Sequence, residues 1–243
     1  MKKSLNLQTL ARKYETEEFL IGDPSWFMHQ VAGESNQELL AFIAASLSYG
    51  SRKQFLPKIQ YILDCSGGNV REWLVSGKFK SDIPRTDKCF YRLYTCATMH
   101  DMLCALQELV QEYGSLKAFV GKGTCFEAIG KIVGFFSARG VEVIIPKNTK
   151  SSCKRLCMFM RWMVRDNSPV DLGLWSDIID KRTLIMPMDT HVMQEANRLG
   201  LLKSKTATMA TAMKLTESLR EIFPDDPLKG DFALFGVGVD EAK

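Results

Sequence analysis

The sequence predicts an all-α fold, and three observations carry that expectation. Apolar residues recur at the three- and four-residue spacing of a helix through most of the 243-residue chain. Strand character is confined to Val141-Glu-Val-Ile-Ile145 and Leu184-Ile-Met186, and two stretches so short do not make a sheet that holds a domain together, so they read as extended connections. The composition, 46% apolar and 25% charged with eight prolines, is that of a folded globular chain.

Taken in order, Leu39, Leu40, Phe42, Ile43, Ala44 and Leu47 suit a buried helix that ends at Gly50. Phe55, Leu56, Ile59, Ile62 and Leu63 suit the next, which stops before Gly67-Gly68. Further helices read at roughly 89 to 113, 124 to 138, 152 to 165, 171 to 180, 190 to 199, 207 to 222 and 231 to 238, to within about 2 to 4 residues at each end. The least helical stretches are 64 to 88, which holds Gly67, Gly68, Gly77 and Pro84, and 140 to 151. No fixed period repeats, and the connections are short, so a compact bundle is expected rather than a solenoid. The chain reads as a single helical domain over 1–243; a division into an early and a late lobe with a cleft between them is compatible with it.

The longest apolar stretch, Leu39 to Leu47, is far short of the ~20 residues of a spanning helix, and Met1-Lys2-Lys3 is followed by Asn6, Gln8 and Arg12 rather than the apolar run of a signal peptide. The expectation is a cytoplasmic, nucleoid-associated monomer with no membrane partner. Seven cysteines, at 65, 89, 96, 104, 125, 153 and 157, form no Cys-x-x-Cys pair. The three histidines lie far apart, so free thiols, no metal and no cofactor are expected.

The charge balance, 32 basic against 28 acidic residues, is too even to name a partner, but its distribution is uneven. Between Val143 and Arg165 stand Lys147, Lys150, Lys154, Arg155, Arg161 and Arg165 without one Asp or Glu. Such a window suits phosphate neutralisation or a solvated helix face, and the spacing alone leaves both open. Ser151 or Ser152 is the expected N-cap of a helix whose apolar face carries Leu156, Phe159, Met160 and Met163, which sets Lys154 in the first turn. There the helix end and Arg155 both favour a neutral amine, the form that attacks an electrophilic carbon and makes a Schiff base. Asp189, between Pro187 and the helical run from Val192, is an N-cap by position. A carboxylate there also suits an oxocarbenium ion.

Three segments carry a resemblance: Lys-Arg-Leu-x-Met-Phe-x-Arg-Trp-Met-Val-Arg at 154 to 165, Pro-Met-Asp-Thr-His-Val at 187 to 192 and Asp-Phe-Ala-Leu-Phe-Gly-Val-Gly at 231 to 238. With Phe42-Ile-Ala-Ala-Ser-Leu-Ser-Tyr-Gly-Ser-Arg52, they look like a bacterial family of conserved hypothetical proteins. That family in turn resembles the helix-hairpin-helix DNA glycosylases, most closely their archaeal 8-oxoguanine branch. The resemblance covers nearly the whole chain. It implies a two-lobed helical domain that holds a flipped base of a damaged DNA duplex in the cleft between its lobes. Lys154 would be the nucleophile that displaces the base, an oxidised purine, and Asp189 the assisting carboxylate. Lys147, Lys150, Arg155, Arg52 and Lys53 would meet DNA. Tyr49, Trp162, His191, Phe232 and Phe235 would line the base pocket, where Trp162 and Trp175 are equally candidates for the core, His191 for a structural role, and Phe232, Phe235 and Gly236 for closing the core.

The chain departs from that superfamily in two places. Ile145-Pro-Lys-Asn-Thr-Lys-Ser-Ser152 holds no glycine where a glycine-rich hairpin is usual, so phosphate anchoring would fall to Lys147, Lys150 and the first N–H groups of the helix. No cysteine follows Cys157, so no iron-sulfur cluster is expected. Two other classes fit the same residues: a nucleic-acid binder without turnover, and a helical module that meets an acidic protein.

Overall fold

A computed structural model describes residues 2–241 and is mostly helical. In chain order the helices are α1 (Lys2–Tyr14), α2 (Glu34–Leu47), α3 (Arg52–Ser66), α4 (Val70–Val75), α5 (Phe79–Asp82), α6 (Cys96–Tyr113), α7 (Leu116–Val120), α8 (Cys125–Ser137), α9 (Lys154–Val164), α10 (Thr190–Arg198), α11 (Met209–Arg220) and α12 (Lys229–Glu241). An antiparallel hairpin, β1 (Cys89–Tyr91) and β2 (Tyr94–Thr95), precedes α6. None of the helices among the described residues is long and apolar enough to cross a membrane.

The chain forms two compact units. The first comprises residues up to Ile21, Lys122–Ile129 and Thr149–Lys243. Its centre is the packing of α1 on α12, where Leu7, Leu10 and Ala11 meet Ala233, Val237 and Phe223. A β-carbon built at Gly236 would stand 2.3 Å from the Tyr14 ring, so only glycine permits that approach. Beneath it lies an ionic cluster. Arg165, 1% exposed, donates to Asp171, to Asp226 at 2.8 Å and to Glu15 at 2.6 Å, while Arg161 reaches Asp171 at 3.2 Å and also Asp231. Burial works against the Arg165 guanidinium, but the three carboxylates around it outweigh burial and hold its pKa above the ordinary arginine value.

The second unit comprises Gly22–Gly121 and Gly130–Asn148, built around α2. Leu40, Ala41, Phe42, Ile43 and Ala44 are all at 0% exposure, as a helix apolar on every face requires. Phe42 stacks on Phe136 at 5.3 Å. One charge is drawn into this core, and its partners explain it. Glu38 accepts from the N–H groups of Leu116 and Lys117 at 2.9 and 3.0 Å, the open donors at the start of α7.

The structure corrects several sequence expectations. The stretch from 89 to 95 is hairpin, because Thr95 and Thr98 form a reciprocal capping box that starts α6 at Cys96. Residues 171 to 180 are turns rather than helix. Their N–H groups serve the end of α9: Leu172 donates to the Trp162 carbonyl at 2.8 Å and Trp175 to that of Met163 at 2.7 Å. Within 64 to 88, Asn69 caps α4 through the Glu72 N–H, so that segment holds α4 and α5 despite its glycines. Val141–Ile145 folds as a turn, with the Ile144 and Ile145 N–H groups on the Val141 carbonyl. Leu184–Met186 is extended, as the sequence suggested.

Candidate functional site

Lys154 is the first residue of α9 and Asp189 the N-cap of α10, so two helix starts meet at this pair. Asp189 Oδ1 accepts from the Val192 N–H at 2.9 Å, and Oδ2 accepts from Lys154 Nζ at 2.8 Å. The capping and pairing roles are therefore both filled by one carboxylate. The side chains are 37% and 38% exposed, so a ligand can reach the pair.

The expected serine cap is absent. Cys153 is the N-cap of α9, in the left-handed region at φ 47 with no side-chain cap bond, and Ser152 donates instead to the Met188 carbonyl at 2.9 Å. That buried bond ties the residue two places before the lysine to the residue just before the aspartate. The aspartate strand is held from its other end by Thr216, whose hydroxyl accepts from the Met186 N–H at 2.9 Å. Lys150 is fixed through its backbone, where its carbonyl accepts from the Met209 N–H at 3.2 Å.

Burial pushes the Asp189 carboxyl up, but the charge and hydrogen bond of Lys154, the Val192 N–H and His191 outweigh it and hold the group below the ordinary carboxylate range. It is a carboxylate at neutral pH. Desolvation raises the nearby thiols: Cys153 is pushed up, Cys125 reaches about 12 and Cys157 is well above its ordinary value. These groups stay protonated near neutrality and are poor nucleophiles. The chemistry open to the site is that of an amine and a carboxylate. Among the described residues, no group of three or more His, Cys, Asp or Glu side chains is placed to hold a metal.

Around the pair, His191 is exposed and Arg155 half-buried in the first turn of its own helix. The basic window is smaller than its sequence suggests, because Arg161 and Arg165 belong to the buried ionic cluster and are 4% and 1% exposed. Trp162 is buried, as is Trp175, whose ring meets Phe159 edge-on at 5.2 Å. Phe232 lies in the core with the Arg161 and Arg165 guanidiniums 4.7 and 5.2 Å from its ring, and Phe235 packs on Tyr14 and Phe19. Trp162 and Phe232 thus take the core alternative rather than the base-pocket one, while Phe235 is half-buried. Trp162 Nε1 is a buried side-chain donor with no hydrogen-bond partner among the described residues.

Four predicted contacts fall in the second unit. Lys147 and Lys53 are exposed, Arg52 pairs with Asp23 at 3.2 Å, and Tyr49 is 37% exposed with the Arg92 guanidinium 4.8 Å from its ring. Sequence reasoning gave Ser152 a capping role and missed Met188 and Thr216, which act through long-range bonds with no local signal. It also missed Arg92, Tyr91 and Tyr94, hidden in a stretch whose apolar spacing reads as helix.

Neither the comparison with curated proteins nor that with solved structures gives a match. Residues 23–240, nearly the whole chain and including every residue of the site just described, match a family described as "Protein of unknown function (DUF2400)", and the chain belongs to that family.

Proposed function

We propose that the protein is a DNA base-excision glycosylase with lyase capacity, acting on an oxidised purine such as 8-oxoguanine. One observation supports this reading above the rest: an accessible lysine amine held 2.8 Å from a carboxylate at the start of two helices. The target carbon is hidden in a stacked duplex, so the nucleotide must be flipped out, at least cost where it is damaged or mispaired. The two-lobed glycosylase arrangement, with the flipped base held in the cleft, is part of the same proposal.

In the proposed reaction Lys154 Nζ, as the free amine, forms a bond to the sugar C1′ while the C1′–N9 bond breaks. The purine leaves with the electron pair and takes up a proton. Asp189 stabilises the positive charge that develops on the sugar and then receives a proton from the secondary ammonium that the attack leaves on Nζ. Ring opening then gives an imine between Nζ and C1′. Loss of a C2′ proton eliminates the 3′ phosphate, and water releases the lysine.

The test is borohydride trapping on duplexes that carry 8-oxoguanine, an abasic site, uracil or unmodified guanine. A covalent adduct on the 8-oxoguanine duplex is expected, lost in Lys154→Gln and slowed about 100-fold or more in Asp189→Asn. Adduct at abasic sites alone would leave lyase chemistry without base recognition. Folded protein that traps on nothing yet binds duplex in a salt-dependent way would overturn the enzyme reading in favour of a non-catalytic binder. Absence of DNA binding at moderate salt would leave the protein-interaction module.

A further inference from the structure

We infer that the tip of the β1–β2 hairpin in the second unit is a nucleic-acid contact, in which Leu93 packs on an exposed base and Arg92, Arg52 and Lys53 meet neighbouring phosphates. The inference rests on nucleic acid being the partner, as in the function proposed above, but not on the lysine chemistry.

The hairpin turns through two residues, Arg92 and Leu93, between the paired Tyr91 and Tyr94. Arg92 sits at φ 50. Two-residue hairpin turns with a positive φ at the first central position favour glycine there, so an arginine keeps a strained conformation where a strain-free residue is available. Its next neighbour, Leu93, is 73% exposed. A β-branched or polar residue would serve the fold equally well at such a tip. Both choices run against local stability and solubility, and both project from the surface.

The tip is also braced from behind. The Arg92 guanidinium lies 4.8 Å from the Tyr49 ring, and the Tyr91 hydroxyl donates to the Tyr49 carbonyl. Tyr49 faces Tyr91 and Tyr94 at 6.4 and 6.3 Å between ring centres. Gly50, at φ +84, leaves the room this needs, since a β-carbon there would stand 2.1 Å from an Arg92 nitrogen. An arginine stacked on tyrosine is held in one orientation while its outer N–H groups stay open.

The chemistry favours nucleic acid over protein. Arg52, Lys53, Lys88 and Arg92 are all exposed. Asp23, engaged by Arg52, is buried, and of the acids flanking the tip in sequence only Asp87 is exposed. The apolar surface offered is essentially one leucine and part of one tyrosine, too little for a stable protein interface, whose centre is depleted of lysine. A single apolar wedge among cations is what a nucleic-acid surface uses at an unstacked step.

The experiment compares wild type, Leu93→Ser and Arg92→Gly on a duplex with 2-aminopurine beside an abasic site, read by anisotropy and by 2-aminopurine fluorescence. Leu93→Ser is expected to lose about tenfold in affinity and most of the fluorescence change, with its melting temperature intact. Arg92→Gly is expected to lower the salt slope by about one, while the turn itself is relieved. If wild type binds and Leu93→Ser matches it in affinity and fluorescence, the hairpin inference is overturned even where borohydride trapping succeeds. Leu93-dependent binding without any trapping would support the hairpin and defeat the glycosylase reading. No duplex binding by wild type at low salt would overturn both.

Discussion

At the residue scale, the structure separates two buried tryptophans that sequence treats alike. Trp73 Nε1 donates to Asp82 at 2.7 Å, whereas Trp162 Nε1 is buried without a partner among the described residues. Replacing Trp162 with Phe removes a desolvated donor, while Trp73→Phe leaves a carboxylate oxygen without its bond. Trp162→Phe should therefore destabilise by about 1 to 2 kcal/mol less than Trp73→Phe in urea unfolding. Equal losses would show that the Trp162 donor is satisfied in solution. Arg165 makes a sharper case. It is 1% exposed and holds Asp171, Asp226 and Glu15, so Arg165→Met takes a shared partner from three carboxylates, of which Asp171 keeps Arg161, and should cost about 3 to 5 kcal/mol. A loss below about 1 kcal/mol would refute the assigned network.

At the element scale, the start of α9 and the start of α10 are the parts that position the site. Cys153 adopts φ 47 and is 3% exposed, so Cys153→Gly should be more stable than Cys153→Ala by about 1 kcal/mol, because only glycine occupies the left-handed region without strain. The reverse order would place Cys153 outside that conformation. The start of α10 gives a pH prediction. The folded Asp189 carboxyl is held below its ordinary value, so its pairing contributes stability that is present above the unfolded pKa of about 3.9 and is lost as pH falls through the lower folded value. Asparagine caps a helix as well as aspartate does. Wild type and Asp189→Asn should therefore differ in stability near pH 5 and converge towards pH 2, with a modest amplitude because both partners are over a third exposed. A difference that does not change over that range would mean the carboxylate acts only as a cap.

At the scale of the whole molecule, the surface charge rather than the total sets any encounter with DNA. The net charge is +4, and Arg161 and Arg165 are spent inside the core. The remaining candidates, Lys147, Lys150, Arg155, Arg52 and Lys53, together with Arg92 of the hairpin, would release about one counterion each. The logarithm of the binding constant should then fall against that of salt with a slope of roughly −4 to −5 on duplex DNA. A slope near zero would remove DNA as the partner. A slope much steeper than this would mean that contacts beyond these six carry the binding.

The sequence by itself determined the helical class, the buried α2, the limits of α3, α8, α9 and α10 to within a few residues, and the place of Lys154 and Asp189 at two helix starts. These follow from periodicity, capping residues and glycine stops, all of which act over a few neighbouring positions. Only the tertiary structure decided that Asp189 caps one helix and pairs with another, that Ser152 anchors to Met188 instead of capping, and that residues 171 to 180 give their N–H groups to α9. The same holds for the burial of Arg161, Arg165, Trp162 and Phe232. Partners in these contacts stand up to 150 residues apart, as in Arg165 with Glu15, and their energies come from burial and shared bonds that no local spacing records. Thr95 begins a helix that apolar spacing starts earlier for a different, local reason: the reciprocal cap with Thr98, three residues on, outweighs periodicity where the two disagree.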